Sequence, residues 1–352
     1  MTGTARQRWA LGIGLAAAGG CLVYALRGVS FTEIASELST ADWRWLVAMT
    51  VAALFTFHLR AMRWNVLLAP SCGSVPFSSR FAAVCIGFMV NNVLPARLGE
   101  VARAASLARI EGVGVGRPLA SLVLERLLDA VILMGLLMPA VIVQGGGEFL
   151  GDTMQAIIGV MAVGAPAALI ALAMIARWRE PCIVIARRIL ERFKMPRAAA
   201  QADRALRPFM EGLGALTSAH QFFRALVWSA VVWLWNGVSF YLGFLAFGVI
   251  GPGFPGALLV QTASGVAVAA PSTPGFFGVF EAAVRLALEV YRVEPATIIS
   301  YAVGYHILNY IPITVLGICY MKKLGIRRDD FRGLPDDSSP EGRALPGGKA
   351  SI

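Results

Sequence analysis

Residues 91–100 read NNVLPARLGE and interrupt a long apolar part of the sequence. The upstream run, 77–94, ends at Pro95, which lacks the backbone N–H that a continuing helix needs. The downstream run, 96–111, can form a new helix, but it carries five charged side chains. Each charge at the centre of a bilayer costs about 2.5–3.5 kcal/mol on the insertion scale. The stretch therefore predicts the tip of a re-entrant helical hairpin, which bilayers tolerate where the broken backbone lines a protein cavity.

The composition of the 352-residue chain indicates an integral membrane protein. Hydrophobic residues make up 57% and charged residues only 15%, against about 25% charged in ordinary soluble domains, and the mean hydropathy is +0.68. These values exclude a secreted disulfide scaffold, a disordered chain and most cytosolic enzymes. The net charge of +10 is expected to set the orientation in the membrane, and we expect no nucleic-acid partner.

Six apolar runs are long enough to cross a hydrocarbon layer of about 30 Å: 9–26, 43–61, 119–143, 155–176, 225–250 and 299–321. A shorter run at 258–270 stops at a Pro/Gly cluster and predicts a second re-entrant hairpin at about 257–290. The predicted fold class is all-α: a polytopic integral membrane protein with six full spans plus two re-entrant hairpins in an inverted repeat.

The order of these segments is the same in two halves of opposite orientation. Residues 1–145 contain span, span, hairpin (about 77–111) and span, and residues 146–321 contain the same order from the other side. Residues 322–352 are expected to form a disordered cytoplasmic tail. Inverted repeats place a substrate site where the two broken helices meet near the midplane, although two coincident Pro/Gly helix breaks would give the same pattern.

The distribution of basic residues predicts which loops face the cytoplasm. Residues 177–224 hold ten Lys or Arg against four acids, and further basic residues follow the last span. The connections at 144–152 and 251–256 contain neither Lys nor Arg. By the positive-inside rule, the basic loop and both termini are expected on the cytoplasmic side of a bacterial cytoplasmic (inner) membrane.

The first hairpin tip has the chemistry of an anion site. The helix that starts after Pro95 would point its free N–H groups and positive dipole end into the membrane, where a phosphate is stabilised. Arg97 and Arg103 add positive charge. The second tip, around Pro274 and Gly278, offers the same geometry without Arg. The alternative is that both tips are ordinary interfacial turns with snorkelling Arg side chains.

Three ionisable residues, Glu125, Arg126 and Asp129, lie about two to three turns inside the span 119–143. The two acids share a face at i, i+4 and repel each other unless a cation intervenes, which Arg126 or Arg97 could supply. Charges within membrane segments are functional candidates by default. A structural charge network that clamps the hairpin to this span explains them equally well.

Two further groups complete the candidate site. Arg60 and Arg63, at the predicted cytoplasmic end of the second span, could hold a lipid phosphate or anchor the helix end. Tyr305 and Asn309 share one face of the last span and could line a cavity. The predicted substrate-binding residues are Arg60, Arg63, Asn91, Asn92, Pro95, Arg97, Glu100, Arg103, Glu125, Arg126, Asp129, Pro274, Gly275, Gly278, Glu281, Tyr305 and Asn309.

The sequence contains no constellation typical of an enzyme. Its three histidines have no Cys or second His at metal-ligand spacing, and its five cysteines form no CxxC pair. The weak GxGxG at 112–116 follows no predicted strand and is not a nucleotide fingerprint. We therefore expect no catalytic residues, no metal and no cofactor.

Four motifs carry a resemblance to a known family: RAMRW at 60–64, NNVLPARLGE at 91–100, ERLLD at 125–129, and PGFFG at 274–278 with Glu281. They resemble the flippase-like membrane domain of the lysylphosphatidylglycerol synthase family, including its stand-alone relatives. The resemblance covers nearly the whole membrane region and implies lipid handling: in two-part members this domain moves an aminoacylated phospholipid between leaflets. Synthase activity is not expected here, because 322–352 leaves no room for an aminoacyl-transferase domain.

The expected function is a lipid translocase that moves a phospholipid or other phosphate-bearing lipid between leaflets. The expected partners are membrane lipids with an anionic or phosphate-bearing headgroup; lipid-modifying enzymes and a second copy of the chain are compatible further partners. Two alternatives remain open at this point: a transporter of a soluble metabolite or ion, and a membrane scaffold or enzyme partner in lipid or polyprenyl-glycan assembly.

Overall fold

The computed structural model describes residues 16–94, 98–143, 151–193, 195–268 and 274–326, and every regular element in these ranges is helical. The α-helices are α1 (Ala16–Leu26), α2 (Phe31–Thr40), α3 (Trp43–Cys72), α4 (Phe77–Val93), α5 (Gly99–Glu111), α6 (Gly116–Val143), α7 (Gly151–Arg177), α8 (Arg179–Arg192), α9 (Pro196–Gly212), α10 (Ala219–Ala246), α11 (Gly253–Ala267), α12 (Val279–Glu289) and α13 (Pro295–Lys323). Short 3-10 helices cover Gly214–Thr217 and Pro274–Phe276.

Three helices, α3, α10 and α13, are each long and apolar enough to cross a membrane. The all-α membrane class predicted from the sequence is therefore confirmed. The other three predicted spans fall on α1, α6 and α7, and their crossing of the bilayer stays a prediction. In α6 the charged residues of the 125–129 motif lie within the 28-residue helix.

The helix that contains the second predicted span, 43–61, continues eleven residues beyond it. Helix α3 starts at the N-cap Asp42, whose side chain accepts a hydrogen bond from the Arg44 N–H at 2.9 Å, and it continues to Cys72. It ends at Gly73, which adopts a φ of 69° that favours glycine. Arg60 and Arg63 consequently lie inside the helix rather than at its end, and both are buried.

The two predicted hairpins are helical hairpins in the structure. In the first, α4 and α5 approach so closely that a Cβ added to Gly99 would lie 2.2 Å from the Gly87 carbonyl oxygen. The Gly99 N–H donates to Asn91 Oδ1 at 2.7 Å across the turn. In the second, the start of α11 meets the end of α12, where Gly256 lies against the Tyr291 ring.

Each hairpin packs against the last long helix of the other half of the chain. Helix α4 lies along α13, and α11 lies along α6, while α3 and α10 pack together between them. The contact of α4 with α13 is close at Gly317, where an added Cβ would lie 2.3 Å from the Met89 side chain. The two halves are thus interleaved rather than side by side.

Most of the buried apolar residues in the described part of the chain belong to two clusters. One surrounds Trp64 and joins α3 to α5 and α6. The other surrounds Phe244 and Tyr301 and joins α10 to α12 and α13. The loop expected between 177 and 224 contains α8 and α9, and α9 packs on α6, where Arg117 pairs with Glu211 at 2.8 Å.

Candidate functional site

The two acids of α6 share a buried cation from a different helix. Arg63 on α3 pairs with Glu125 through Nη2 at 2.9 Å and with Asp129 through Nη1. Its side chain is fully buried, and its Nη1 also donates to Ser229 Oγ on α10 at 3.2 Å. Trp233, one turn further along α10, donates its indole N–H to Asp129 Oδ1 at 2.6 Å. The acid pair therefore ties α6 to α3 and α10.

Two more arginines complete this ion cluster, which we define as Arg63, Arg103, Glu125, Arg126 and Asp129. Arg103 on α5 binds Glu125 with both terminal nitrogens, at 2.9 and 3.1 Å, and its guanidinium lies over the Trp64 ring at 4.0 Å. Arg126 donates to Glu125 Oε1 at 2.8 Å and keeps 38% of its side chain exposed. Bidentate, charge-assisted pairing offsets the cost of burying these groups.

The contacts favour a charge-balancing role for the two acids. Glu125 is engaged by three guanidinium groups, those of Arg63, Arg103 and Arg126. A carboxylate surrounded in this way is stabilised in its ionised form. The intervening cation expected from the sequence was Arg126 or Arg97; Arg126 does contact both acids, but the buried bridge comes from Arg63.

A cavity of about 380 Å³ opens beside the ion cluster, between the two hairpins. Both hairpins and helices α3, α6 and α10 line it: Arg60, Gly87, Phe88, Asn91, Gly99, Glu100, Arg103, Arg126, Asp129, Ala130, Leu133, Trp233, Gly265, Val266, Val268 and Phe276. Its wall is mostly apolar, with the charged groups gathered on the α5, α6 and α3 side. Such a concave, largely apolar space with a few convergent polar groups is typical of a ligand site.

Arg60 is the unusual group in this wall. The residue is only 6% exposed, its guanidinium lies 4.8 Å from the centroid of Trp233 and 5.5 Å from that of Phe88, and its Nη1 has no hydrogen-bond partner among the described residues. An unpaired buried cation is costly. Aromatic faces compensate only partly, so an anion in the cavity would stabilise it.

The second hairpin carries a separate buried pair. Glu281 on α12 contacts His306 on α13, with Oε1 and Nδ1 2.6 Å apart. The other ring nitrogen, Nε2, lies 2.8 Å from the carbonyl oxygen of Gly275 in the hairpin tip. Glu281 also accepts the backbone N–H of Gly278 at 2.7 Å. This pair ties the tip to the last helix.

Comparison with known proteins identifies the family of the chain. The lysylphosphatidylglycerol synthase TM region family matches residues 9–317. The chain belongs to this family. The resemblance inferred from the four motifs is thereby confirmed, and the chain is a multi-pass protein of a lipid-related membrane family. No curated protein and no solved structure matches it.

In this family member, six of the predicted site residues line the cavity: Arg60, Asn91, Glu100, Arg103, Arg126 and Asp129. Arg63 and Glu125 lie behind it in the ion cluster. Asn92 points instead to α13, where it donates to Thr314 Oγ1 at 2.8 Å. Pro95 and Arg97 lie outside the described residues.

The remaining predicted residues belong to the second hairpin and the last helix. Pro274 and Gly275 form the short 3-10 helix of the tip, and Gly278 packs against α1, near Ala18. Tyr305 shares a hydrogen bond with Ser239 at 2.8 Å and is buried. Asn309 has a buried Oδ1 that lacks a partner among the described residues.

Sequence reasoning missed the roles of Trp233, Phe276 and His306. The sequence gives no signal for Trp233, because an indole inside an apolar span does not show that its N–H contacts an acid on another helix. His306 interrupts the last span, which was the available signal, but its partner Glu281 is 25 residues away. Within the described ranges, no group of three or more His, Cys, Asp or Glu side chains is placed to hold a metal ion.

Proposed function

We propose that this protein is a lipid translocase of the bacterial cytoplasmic membrane, which moves a phospholipid or other phosphate-bearing lipid between leaflets. The observation that carries the proposal is Arg60, a buried guanidinium whose Nη1 has no hydrogen-bond partner among the described residues, facing a cavity between two helical hairpins. A phosphodiester would supply the missing charge and hydrogen-bond acceptors. The proposed role is transport, with no catalytic step.

The charges around the cavity support a singly negative headgroup. Among the described residues, four arginines, Arg60 and the three of the ion cluster, stand against the three carboxylates of Glu100, Glu125 and Asp129. Within that set one positive charge is left over. A phosphate diester carries one negative charge, so its entry would neutralise the site. Dianions or cations would leave a net charge in a space of low dielectric constant.

We propose further that the membrane arrangement is the six spans, two re-entrant hairpins and inverted repeat expected from the sequence, with both termini cytoplasmic. The interleaving of the halves supports this: α4 on α13 mirrors α11 on α6, about the central pair α3 and α10. Rocking of one half against the other would open the cavity to each leaflet in turn. The headgroup would cross through the cavity while the acyl chains remain in lipid.

The test is translocation of fluorescent headgroup-labelled lipids in liposomes that contain the purified protein, with anionic, zwitterionic, cationic and polyprenyl-phosphate lipids compared. We expect Arg60→Met to reduce movement of the anionic class roughly tenfold or more, since a hydrogen bond to a charged group contributes about 1.5–3 kcal/mol. Arg60→Lys keeps the charge and should retain part of the activity.

The matched control is Arg109→Gln, which removes a charge at an exposed position on α5. It should move lipid at the wild-type rate. If folded wild-type protein moves no lipid class, or if Arg60→Met moves the anionic class as fast as wild type, the proposal fails.

A further inference from the structure

The buried pair on the second hairpin, Glu281 with His306, has a hydrogen-bond geometry that fixes its proton content. Both imidazole nitrogens face oxygen atoms: Nδ1 faces Glu281 Oε1 at 2.6 Å, and Nε2 faces the Gly275 carbonyl at 2.8 Å. A carbonyl oxygen only accepts, so Nε2 must carry a hydrogen. Nδ1 and the carboxyl then need a second hydrogen between them.

That second hydrogen has two equivalent placements. The pair is either imidazolium with carboxylate or neutral imidazole with carboxylic acid. Both forms are neutral overall, and both hold one proton more than neutral histidine beside an ionised glutamate. The geometry seen here is therefore that of a proton-loaded pair.

We propose that Glu281 and His306 form a proton-binding site that controls the tip of the second hairpin and couples proton movement to translocation. The coupling rests on the proposed function, whereas the proton site itself does not. It differs from the two acids of α6, whose carboxylates are neutralised by arginines.

Release of the proton to water would break one of the two contacts. A neutral imidazole has a single N–H for two acceptors, the Glu281 carboxylate and the Gly275 carbonyl. The ionised carboxylate is the stronger acceptor, so the hydrogen moves to Nδ1. Nε2 then presents a lone pair to the Gly275 oxygen, and the two repel each other.

The consequence reaches the proposed substrate cavity. Gly275 holds a φ of 69° and is followed by Phe276, which lines the cavity. Loss of the bond from His306 would release this part of the wall. Proton binding would hold this part of the cavity wall against α13. The loaded pair donates to the Gly275 carbonyl, and Glu281 continues to accept from the Gly278 N–H.

The surroundings of the pair are aromatic. The ring of Phe277 stacks on His306 at 4.5 Å, and the ring of Phe280 lies at 4.8 Å. On α13 the hydroxyl of Tyr310 donates to the Asn92 carbonyl oxygen of α4 at 3.1 Å, and Tyr305 is paired with Ser239 of α10. The hydroxyl groups of these tyrosines are therefore engaged with partners other than the pair, although the Tyr310 ring lies edge-on to His306 at 6.1 Å.

The charged groups on neighbouring helices are also engaged elsewhere. On α12, Arg285 binds Glu289 at 2.6 Å, and its Nη1 donates to three backbone carbonyls at the end of α1. The hydroxyl of Tyr24 on α1 donates to Glu289 at 2.9 Å, and α11 contains no ionisable residue. On α3, Arg60 lies between Phe88 and Trp233. No described cation pairs with Glu281 apart from His306.

The first arm of the test observes the proton directly, without transport. The chain has three histidines, so the ring ¹⁵N signals of His306 in protein reconstituted in nanodiscs are assigned by their loss in His306→Gln. We expect Nε2 to carry hydrogen in the proton-loaded pair and to lose it when the pH is raised, as the hydrogen moves to Nδ1. If Nε2 keeps its hydrogen throughout, the proposal is overturned.

Glu281→Gln is the informative variant, because it preserves the contacts without the titrating proton. The glutamine amide can donate to Nδ1 while its oxygen accepts from Gly278, so the tip stays held and the Nε2 signal should not change with pH. Glu289→Gln is the matched control on the same helix and should titrate as wild type does. A pH-dependent Nε2 signal in Glu281→Gln equal to that of wild type would contradict the assignment.

The second arm measures lipid translocation with and without a proton gradient. Wild type and Glu289→Gln should respond to the gradient, and Glu281→Gln should not. If lipid moves but Glu281→Gln responds fully, the coupling is wrong while the proposed function stands. If no lipid moves in any protein and the ¹⁵N switch is present, the proposed function and the coupling fail while the proton site stands.

Discussion

At the scale of single residues, Arg63 explains how two acids can lie four residues apart inside the long helix α6. Its guanidinium is fully buried and bridges Glu125 and Asp129. Removal of one partner from a buried ion pair costs about 3–5 kcal/mol, because the remaining charges stay buried without compensation.

We therefore predict that Arg63→Leu lowers the free energy of unfolding by about 3–5 kcal/mol, measured by denaturation of the reconstituted protein. The control is Arg187→Leu, which breaks the exposed pair of Arg187 with Glu191 on α8, where the side chains are 61% and 47% exposed. Exposed pairs contribute about 0–1 kcal/mol. Equal destabilisation by the two substitutions would contradict the structural role of Arg63.

The sequence predicted that the acids need a cation but not which residue supplies it. Local spacing identifies Arg126, which contacts both acids. Arg63 lies 66 positions before Asp129, and only the packing of α3 on α6 brings them together. Arg60 and Arg63 are three positions apart, yet one is paired with two acids and the other faces a cavity, a difference that no sequence pattern contains.

A second residue-scale prediction concerns Trp233, whose indole N–H donates to Asp129 at 2.6 Å and whose ring contacts Arg60. Trp233→Phe keeps an aromatic face but removes the donor. We expect a loss of about 1.5–3 kcal/mol in unfolding free energy, the contribution of one hydrogen bond to a charged group, and slower lipid movement. The matched control for lipid movement is Trp235→Phe, which removes a hydrogen bond to the backbone carbonyl of Ala52. This variant should move lipid at the wild-type rate.

At the scale of elements, the first hairpin depends on glycine at the crossing of its arms. A methyl group at Gly99 would lie 2.2 Å from a backbone oxygen of α4. The backbones must separate to admit it. The contacts that set Arg103 against Glu125 would then shift as well.

We expect Gly99→Ala to destabilise the protein and to reduce translocation, measured in the same unfolding and liposome assays. Gly135→Ala is the matched control, because an added Cβ in that part of α6 meets nothing within 4 Å. In a helix interior, alanine is favoured over glycine by roughly 0.5–1 kcal/mol. The control should therefore be neutral or more stable; a stable, active Gly99→Ala protein would show that the arms do not need this contact.

The elements also show which features of the fold hydropathy predicts and which it does not. Both hairpins were located by their Pro/Gly breaks, which are local properties of the chain. The second predicted span ends at 61 because the charged motif at 60–64 lowers hydropathy, but this motif does not break helix α3. Hydropathy reports exposure to lipid, whereas the helix ends where Gly73 takes a positive φ.

At the scale of the whole molecule, the interleaved halves predict a mechanical test of transport. Asn92 on α4 and Thr314 on α13 are in direct contact, with Nδ2 and Oγ1 2.8 Å apart. A disulfide between Asn92→Cys and Thr314→Cys would fix the first hairpin to the other half. If the halves rock against each other, we expect oxidation to stop lipid movement and reduction to restore it.

The single variants Asn92→Cys and Thr314→Cys serve as controls, since the chain has five native cysteines that could also be oxidised. Neither should respond to oxidant. Unchanged movement in the cross-linked double variant, with the cross-link verified by mass spectrometry, would argue against rocking at this interface.

The close contact of α4 with α13 has a further consequence for the order in which the protein is made. The Asn92 side chain donates to the backbone carbonyl of Tyr310, and the Tyr310 hydroxyl donates to the backbone carbonyl of Asn92. These two residues are 218 positions apart. At a synthesis rate of about 5–20 residues per second, roughly 10–45 s separate the two helices as they leave the ribosome. In the proposed membrane arrangement, the first hairpin, with its asparagines and arginines, is in the membrane throughout that interval, before its final neighbour exists. The earlier helices or the insertion machinery must therefore cover the polar side chains of the first hairpin until α13 is inserted and packs against α4.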